Sequence, residues 1–200
     1  KAFAAASIAD GGSTTLLFTL ANSAGSPAQS GIAFTDSLPA SLRFTSAAPT
    51  VSFGAGCAGS SVVTQGTPDT IALSAVTMSA GTASCTITVN GVTNRAAQTN
   101  ASCATNPAAF TNAAGNIGAT ANVTNGVTAS CLIVTTPNLA KAFGAASIAD
   151  GGSTTLVFTL NNGAPNPAQT GIAFTDALPA SLRFTSAAPT VSFGAGCGGA

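Results

Sequence analysis

The chain has 200 residues, of which 5 are Lys or Arg, 5 are acidic (all Asp) and none is His, Trp or Tyr, so its formal net charge is zero. Without histidine, the sequence excludes a His-based catalytic triad, a His metal site and imidazole acid–base catalysis. Five scattered basic residues give no electrostatic footprint for nucleic acid or an anionic membrane, and no apolar run approaches the roughly 20 residues of a membrane helix.

Apolar and polar residues alternate along most of the chain, which predicts β-strands with one buried face. In chain order, the predicted strands cover residues 2–9 (extended rather than helical), 16–20, 32–34, 42–44, 51–53, 71–73, 85–89 and 127–133. Gly, Pro, Asn and Ser clusters break the chain roughly every 8–12 residues, a spacing typical of a sandwich. The predicted fold class is therefore all-β, an antiparallel β-sandwich.

The sequence repeats itself with an offset of 140 residues. Between residues 1–60 and 141–200, 50 of the 60 positions are identical, and five of the ten differences fall in residues 21–30, which have the composition of an exposed loop. We therefore expect a complete repeat at 1–140 and the N-terminal part of the next at 141–200. Within the first repeat, residues 91–107 are predicted to form an irregular insertion and residues 135–140 a linker.

Four cysteines belong to the complete repeat, and they allow three disulfide pairings. The preferred pairing is Cys57–Cys85 with Cys103–Cys131, because each pair is local and the second ties the irregular segment to the last strand. Cys197 repeats Cys57, and the equivalent of its partner would be residue 225, outside the chain shown. A zinc site made of four cysteines and free buried thiols are the alternatives, whereas disulfides indicate an oxidising compartment.

Asp36 and Asp176 stand in the runs FTDSLP and FTDALP, between a predicted strand and a proline. We expect them to cap the turn by accepting hydrogen bonds from the following backbone amides. Calcium binding with Asp10 or Asp69 is the alternative, but the cation takes about six to eight oxygen ligands and each repeat has few carboxylates. We therefore predict no metal site and no cofactor.

Lys1 and Lys141 begin the two copies of the repeat. The first interpretation is a solvated lysine at a domain junction. The second is a covalent bond from the lysine to an asparagine, assisted by a nearby acid, as occurs in some surface sandwiches. Intact mass distinguishes the two, because such a bond removes about 17 Da as ammonia.

The runs KAF…SIADGGSTTLLFTLANS, GIAFTDSLPASLRF, FGAGC and SAGTASCTITV resemble the bacterial "conserved repeat domain" of unknown function. The resemblance covers residues 1–90, weakly 108–134, and 141–200 in the second copy. It implies immunoglobulin-like β-sandwiches in tandem within large secreted and cell-surface proteins, and it supports pairing Cys57 with Cys85. The 91–107 segment and the other two cysteines depart from the family's pattern, and the family carries no established catalytic site.

These observations predict a structural repeat module of an extracellular bacterial fibre or cell-surface stalk, held by disulfides, and they include strand exchange between neighbouring units as a further hypothesis. Its partners are expected to be copies of itself, with no nucleic acid and no membrane insertion in this segment. The alternative is an adhesin repeat that binds through residues 21–30 and 91–107. We do not expect an enzyme, since no nucleophile stands beside a base.

Overall fold

The computed structural model describes residues 1–97, 103–164 and 166–199. It forms two compact units, of which the first is Lys1–Pro137 with Asn162–Thr170 and the second is Asn138–Asn161 with Gly171–Ala200. The regular structure of the described residues is almost entirely β-strand, so the all-β class is confirmed. None of the helical segments in this part of the chain has the length and hydropathy of a membrane-spanning helix.

The first unit contains thirteen strands among its described residues. They are β1 (Ala2–Phe3), β2 (Ser7–Ala9), β3 (Thr14–Ala21), β4 (Gln29–Ser37), β5 (Leu42–Phe44), β6 (Val51–Phe53), β7 (Cys57–Thr64), β8 (Thr70–Met78), β9 (Ser84–Asn94), β10 (Thr111–Asn112), β11 (Ile117–Ala121), β12 (Ser130–Cys131) and β13 (Ile133–Thr135). A short helix, α1 (Pro107–Phe110), precedes β10, and a 3₁₀ turn (Ala114–Asn116) follows it.

Two antiparallel sheets make up most of the first unit. The first sheet has the order β1-β3-β9-β5, and β6 also pairs with β9. The second sheet has the order β11-β4-β8-β7. Two small pairs complete the described part of the unit: β10 runs antiparallel to β12, and β13 runs parallel to β2.

The inward faces of the two sheets contribute to one hydrophobic core. In β3, burial alternates from residue to residue, so that Leu16, Phe18 and Leu20 are buried while Thr19 is exposed. The ring of Phe18 meets the ring of Phe34 in β4 edge-on, with centroids 5.2 Å apart. The period of two in the sequence therefore identifies the core-facing side chains of β3 and β4.

Most of the predicted strands lie within observed strands. Residues 16–20, 32–34, 42–44, 51–53, 71–73 and 85–89 fall in β3, β4, β5, β6, β8 and β9, and the stretch 2–9 is extended at β1 and β2. β7 was not predicted, because its side chains are largely exposed and its sequence lacks a clear alternation. In the predicted strand 127–133, residues 127–129 are not in a strand.

The irregular insertion predicted at 91–107 begins later than expected, because β9 continues to Asn94. Gly91 has a left-handed φ of 81°, and the register of β9 against β3 shifts beside it. Val89 and Val92 are consequently both buried although they are three residues apart, so the alternation is lost in the sequence while the strand persists. Residues 98–102 of the predicted insertion lie outside the described residues.

The second unit contains a two-stranded antiparallel pair, β14 (Asn138–Phe143) and β15 (Leu156–Asn161). Ala142 pairs with Val157 and Phe143 with Leu156, which is the register of β1 on β3 shifted by 140 residues. Residues 138–140 of the predicted 135–140 linker are part of β14.

Candidate functional site

Two disulfides cross-link the first unit with the predicted pairing. Cys57 begins β7 in one sheet and Cys85 lies in β9 of the other, so the Cys57–Cys85 bond joins the two sheets, with 6.1 Å between the Cα atoms. The Cys103–Cys131 bond joins the segment before α1 to β12, with a Cα separation of 6.0 Å. Both pairs are 28 residues apart in sequence. The four sulfurs are therefore engaged in disulfides rather than in a zinc site, while Cys197 is free and exposed.

A second group of polar side chains lies inside the first unit and consists of Lys1, Asp36 and Asn112, here called the Lys1 cluster. Lys1 Nζ donates to Asp36 Oδ1 at 2.8 Å, to Asn112 Oδ1 at 2.6 Å and to the backbone oxygen of Ala113 at 3.1 Å. Asn112 Nδ2 donates to Asp36 Oδ2 at 2.7 Å. Each of the three side chains thus contacts the other two.

The three side chains of this cluster are buried. The side chains of Lys1 and Asp36 are both 0% exposed, and so is Asn112 as a whole residue. The three residues come from three segments: the position before β1, the end of β4, and β10. An ammonium, a carboxylate and a carboxamide therefore meet in a buried environment of low dielectric constant.

Burial shifts both ionisable groups of the cluster toward their neutral forms. It lowers the pKa of the Lys1 ammonium, although Asp36 acts in the opposite direction. It also raises the pKa of the Asp36 carboxyl, although Lys1 and Asn112 oppose that shift. Desolvation disfavours a charged group of either sign, so both shifts have the same physical cause.

The structure corrects two expectations about these residues. Asp36 does not cap a turn, because its two carboxylate oxygens accept hydrogen bonds from the side chains of Lys1 and Asn112. Asp176, predicted to have the same capping role, likewise accepts from a lysine, Lys141. Lys1 is not solvated, since its side chain is fully buried.

The second copy of the repeat contains only part of this arrangement. Lys141 Nζ lies 2.6 Å from Asp176 Oδ1, and the two side chains are 44% and 21% exposed. The position equivalent to Asn112 would be residue 252, which is not among the 200 residues. Lys141 and Asp176 therefore form a more solvated pair than Lys1 and Asp36, and they provide an internal comparison for the Lys1 cluster.

A separate buried carboxylate, Asp69, fixes the start of β8. Its oxygens accept hydrogen bonds from the backbone amides of Phe44 (2.8 Å) and Gly66 (3.0 Å) and from Arg95 Nη2 (2.9 Å). Burial alone acts to raise the pKa of Asp69, but these donors outweigh it and hold the pKa below its usual value. Asp69 is thus engaged in a structural network, not in the calcium site considered with Asp36.

A cavity of about 370 Å³ opens beside the Lys1 cluster between β3, β4 and the residues after β11. Apolar side chains such as Phe18, Ile32 and Phe34 line one part of it, and Lys1 is the one ionisable residue among the described residues of its lining. In the ranges 1–97, 103–164 and 166–199, no group of three or more Cys, Asp or Glu side chains is placed to hold a metal ion.

The sequence contained a signal for the inward position of Asp36 that the turn interpretation overlooked. Ile32, Phe34 and Asp36 are spaced two apart in β4, and all three are buried. A carboxylate in phase with core residues predicts a buried partner. The sequence had no comparable signal for Asn112, which lies 76 residues further on in a two-residue strand.

Comparison with known proteins adds a family but no function. No curated protein and no solved structure matches the chain. A family model described as "Domain of unknown function (DUF7933)" matches residues 1–134 and again residues 137–200, close to the 140-residue repeat. The resemblance to the bacterial conserved repeat domain is not tested by this match and stays a prediction. Because this family model matches nearly the whole length of the chain, the chain belongs to the family described as Domain of unknown function (DUF7933).

Proposed function

We propose that the chain is a structural repeat module of an extracellular bacterial fibre or cell-surface stalk, built of immunoglobulin-like β-sandwich units in tandem. In this proposal the unit transmits tension and resists unfolding, and it performs no reaction on an external substrate. The observation that supports it best is the disulfide between Cys57 and Cys85, which ties the two sheets of the repeat to each other.

The disulfides also support the proposed location. Two disulfides within one repeat are typical of proteins that fold in an oxidising compartment, which for a bacterium means the periplasm or the outside of the cell. A cross-link between sheets keeps them together when the ends of the unit are pulled. Both properties are those expected of a module exposed to mechanical load outside the cell.

Low charge supports association between copies. Only 5% of the residues are charged and the net charge is zero, so electrostatic repulsion does not keep neighbouring units apart. Near-identical neighbours in one chain also favour exchange of equivalent strands. The partners we propose are therefore other copies of the same repeat.

The second copy has an exposed apolar surface that such an exchange would cover. Ile8, Phe34 and Phe44 are buried in the first unit, with exposures of 4%, 5% and 0%. Their counterparts in the second copy, Ile148, Phe174 and Phe184, are 46%, 45% and 54% exposed. We propose that strands equivalent to β8 and β9, from the same chain or another, cover these exposed side chains.

Electron microscopy with antibodies against the repeat tests the proposal. On intact cells, we expect gold label along filaments or stalks at intervals related to one repeat, with the label absent from a deletion strain. Label confined to permeabilised cells would contradict the extracellular role. Label only at the tips of filaments would favour presentation of a binding surface instead.

The adhesin function is the second candidate, and one observation favours it. Half of the substitutions between the two copies fall in residues 21–30, which are mostly exposed and connect β3 to β4. The chain offers a matched control, because residues 161–170 are the natural replacement for that loop. Exchange of 21–30 for 161–170 should leave assembly unchanged if the module is structural, whereas altered attachment to surfaces with intact filaments would support the adhesin.

A further inference from the structure

The salt bridge of the Lys1 cluster is fully buried, which is costly for an ion pair. Removing a lysine and an aspartate from water has a large desolvation cost, which their mutual attraction offsets only partly. Yet both side chains are fully buried, and the third residue beside them is an amide that can itself react with an amine. An amide bond between the lysine and the asparagine is neutral, so its formation would remove the desolvation cost of the two buried charges.

The distances bring the reacting atoms close to each other. Lys1 Nζ lies 2.6 Å from Asn112 Oδ1, and a carbonyl bond is about 1.23 Å long, so Nζ is within about 3.8 Å of the carboxamide carbon. Reacting atoms in productive complexes are about 3–3.5 Å apart. Asp36 holds both nitrogens at once, with Oδ1 on the lysine amine and Oδ2 on the carboxamide nitrogen. One carboxyl group therefore stands between the attacking nitrogen and the leaving nitrogen.

We propose that Lys1 and Asn112 form an intramolecular amide bond within the folded repeat, with Asp36 as the group that transfers the proton. The inference stands on the geometry of the Lys1 cluster and not on the proposed fibre, so either one can fail without the other. It assigns the cluster a modification of the chain's own side chains rather than an activity on an external substrate.

The step balances without any oxidant, reductant or co-reactant. Lys1 first passes one proton to Asp36, which gives a neutral amine and a neutral acid, the forms that burial favours. The nitrogen lone pair attacks Cγ of Asn112, and the carbonyl electrons move to Oδ1. Asp36 accepts a second proton from Nζ and donates its own to Nδ2.

The intermediate then collapses and releases ammonia. The Cγ–Nδ2 bond breaks, the carbonyl re-forms and the Nζ–Cγ amide remains. Of the three protons on the original ammonium, one stays on the amide nitrogen, one leaves with ammonia and one stays on Asp36. The cavity of about 370 Å³ that Lys1 lines gives the ammonia a way out of the core.

The intact mass of the folded 200-residue chain tests the proposal. After both disulfides are reduced, we expect a mass about 17 Da below that calculated from the sequence, which is the loss of one ammonia. A chain with both disulfides formed but with the full calculated mass would overturn the proposal, and this result needs no variant to interpret.

Fragmentation of a proteolytic digest locates the lost ammonia. Asn90, Asn125 and Asn162 each precede a glycine, and a succinimide at any of these positions would lose the same mass. We expect a branched peptide that joins Lys1 to Asn112 and survives hydroxylamine, which opens succinimides. Mass loss found only at an Asn-Gly site would contradict the bond.

Variants with matched controls test the role of each residue. Lys1→Arg and Asn112→Ala should restore the full mass, whereas Lys141→Arg, the same change in the second copy, should keep the deficit. Asp36→Asn keeps the size of the side chain and should also restore the full mass. A complete deficit in Asp36→Asn would overturn the role of Asp36, and a deficit in Lys1→Arg would overturn the bond itself.

Discussion

Removal of either disulfide should lower the free energy of unfolding of the first unit by a similar amount, because both bonds close loops of the same length and so restrict the unfolded chain equally. Each pair is separated by 28 residues, and in the chain-entropy relation a loop of that size stabilises the folded state by about 3.6 kcal/mol. The free energy of unfolding of a domain is about 5–15 kcal/mol, so this loss is large. Cys85 is also buried, with 5% exposure, and its replacement by alanine therefore adds a small packing cost.

The assay compares Cys57→Ala/Cys85→Ala with Cys103→Ala/Cys131→Ala, each in a Cys197→Ser background. Urea unfolding followed by far-ultraviolet circular dichroism suits the chain, because it has no Trp or Tyr for fluorescence. We expect losses of about 3–4 kcal/mol in both variants, with the first slightly larger. A loss under about 1 kcal/mol in both would refute the reasoning that loop closure stabilises the repeat.

The exposed thiol provides the control for this experiment. Cys197 is free and exposed, so Cys197→Ser should leave the free energy of unfolding unchanged and should prevent disulfide exchange during unfolding. A large effect of that single change would mean that the cysteine variants report on thiol chemistry and not on loop closure.

Two further predictions concern the core and the buried carboxylate. Phe34→Ala should lower the free energy of unfolding of the first unit by about 3–5 kcal/mol in urea. The same change at Phe174, which is 45% exposed, should lower it far less. Equal losses in the two variants would contradict the assigned core. The pKa of Asp69 is lowered in the folded state, so its stabilisation is present above the unfolded-state pKa and disappears as the pH falls through the folded-state value. The stability of the wild type should therefore drop more steeply than that of Asp69→Asn between about pH 5 and pH 2, and parallel curves would contradict the network around Asp69.

Local patterns in the sequence predict the strands that have one buried face. β3 and β4 show strict alternation because one side of each strand meets the core and the other meets solvent. β7 has no such contrast, since most of its residues are exposed, and the glycine in β9 resets the alternation that the prediction depends on. Strand prediction from periodicity therefore fails at an exposed sheet edge and at an irregularity within a strand.

The candidate site depends on contacts between distant segments, and the sequence predicts it only in part. The cysteine spacing favours the observed pairing but allows all three, and the fold selects one by bringing the Cα atoms of Cys57 and Cys85 to 6.1 Å from each other. Lys1, Asp36 and Asn112 are 35, 76 and 111 residues apart in sequence, and no local pattern relates them. Topology brings them to one point in the core.

We propose that covalent cross-links, rather than a catalytic or binding site, enable this repeat to bear tension. Single-molecule pulling of the oxidised chain tests that claim by measuring how much length one repeat releases when it unfolds. With both disulfides and the Lys1–Asn112 bond, only about 15 residues can extend between Lys1 and Pro137, or about 50 Å. Release of about 280 Å is the length expected when both disulfides are present and the Lys1–Asn112 bond is absent, so it would contradict the amide bond alone. Release of about 480 Å, the full length of the unit, would contradict the claim.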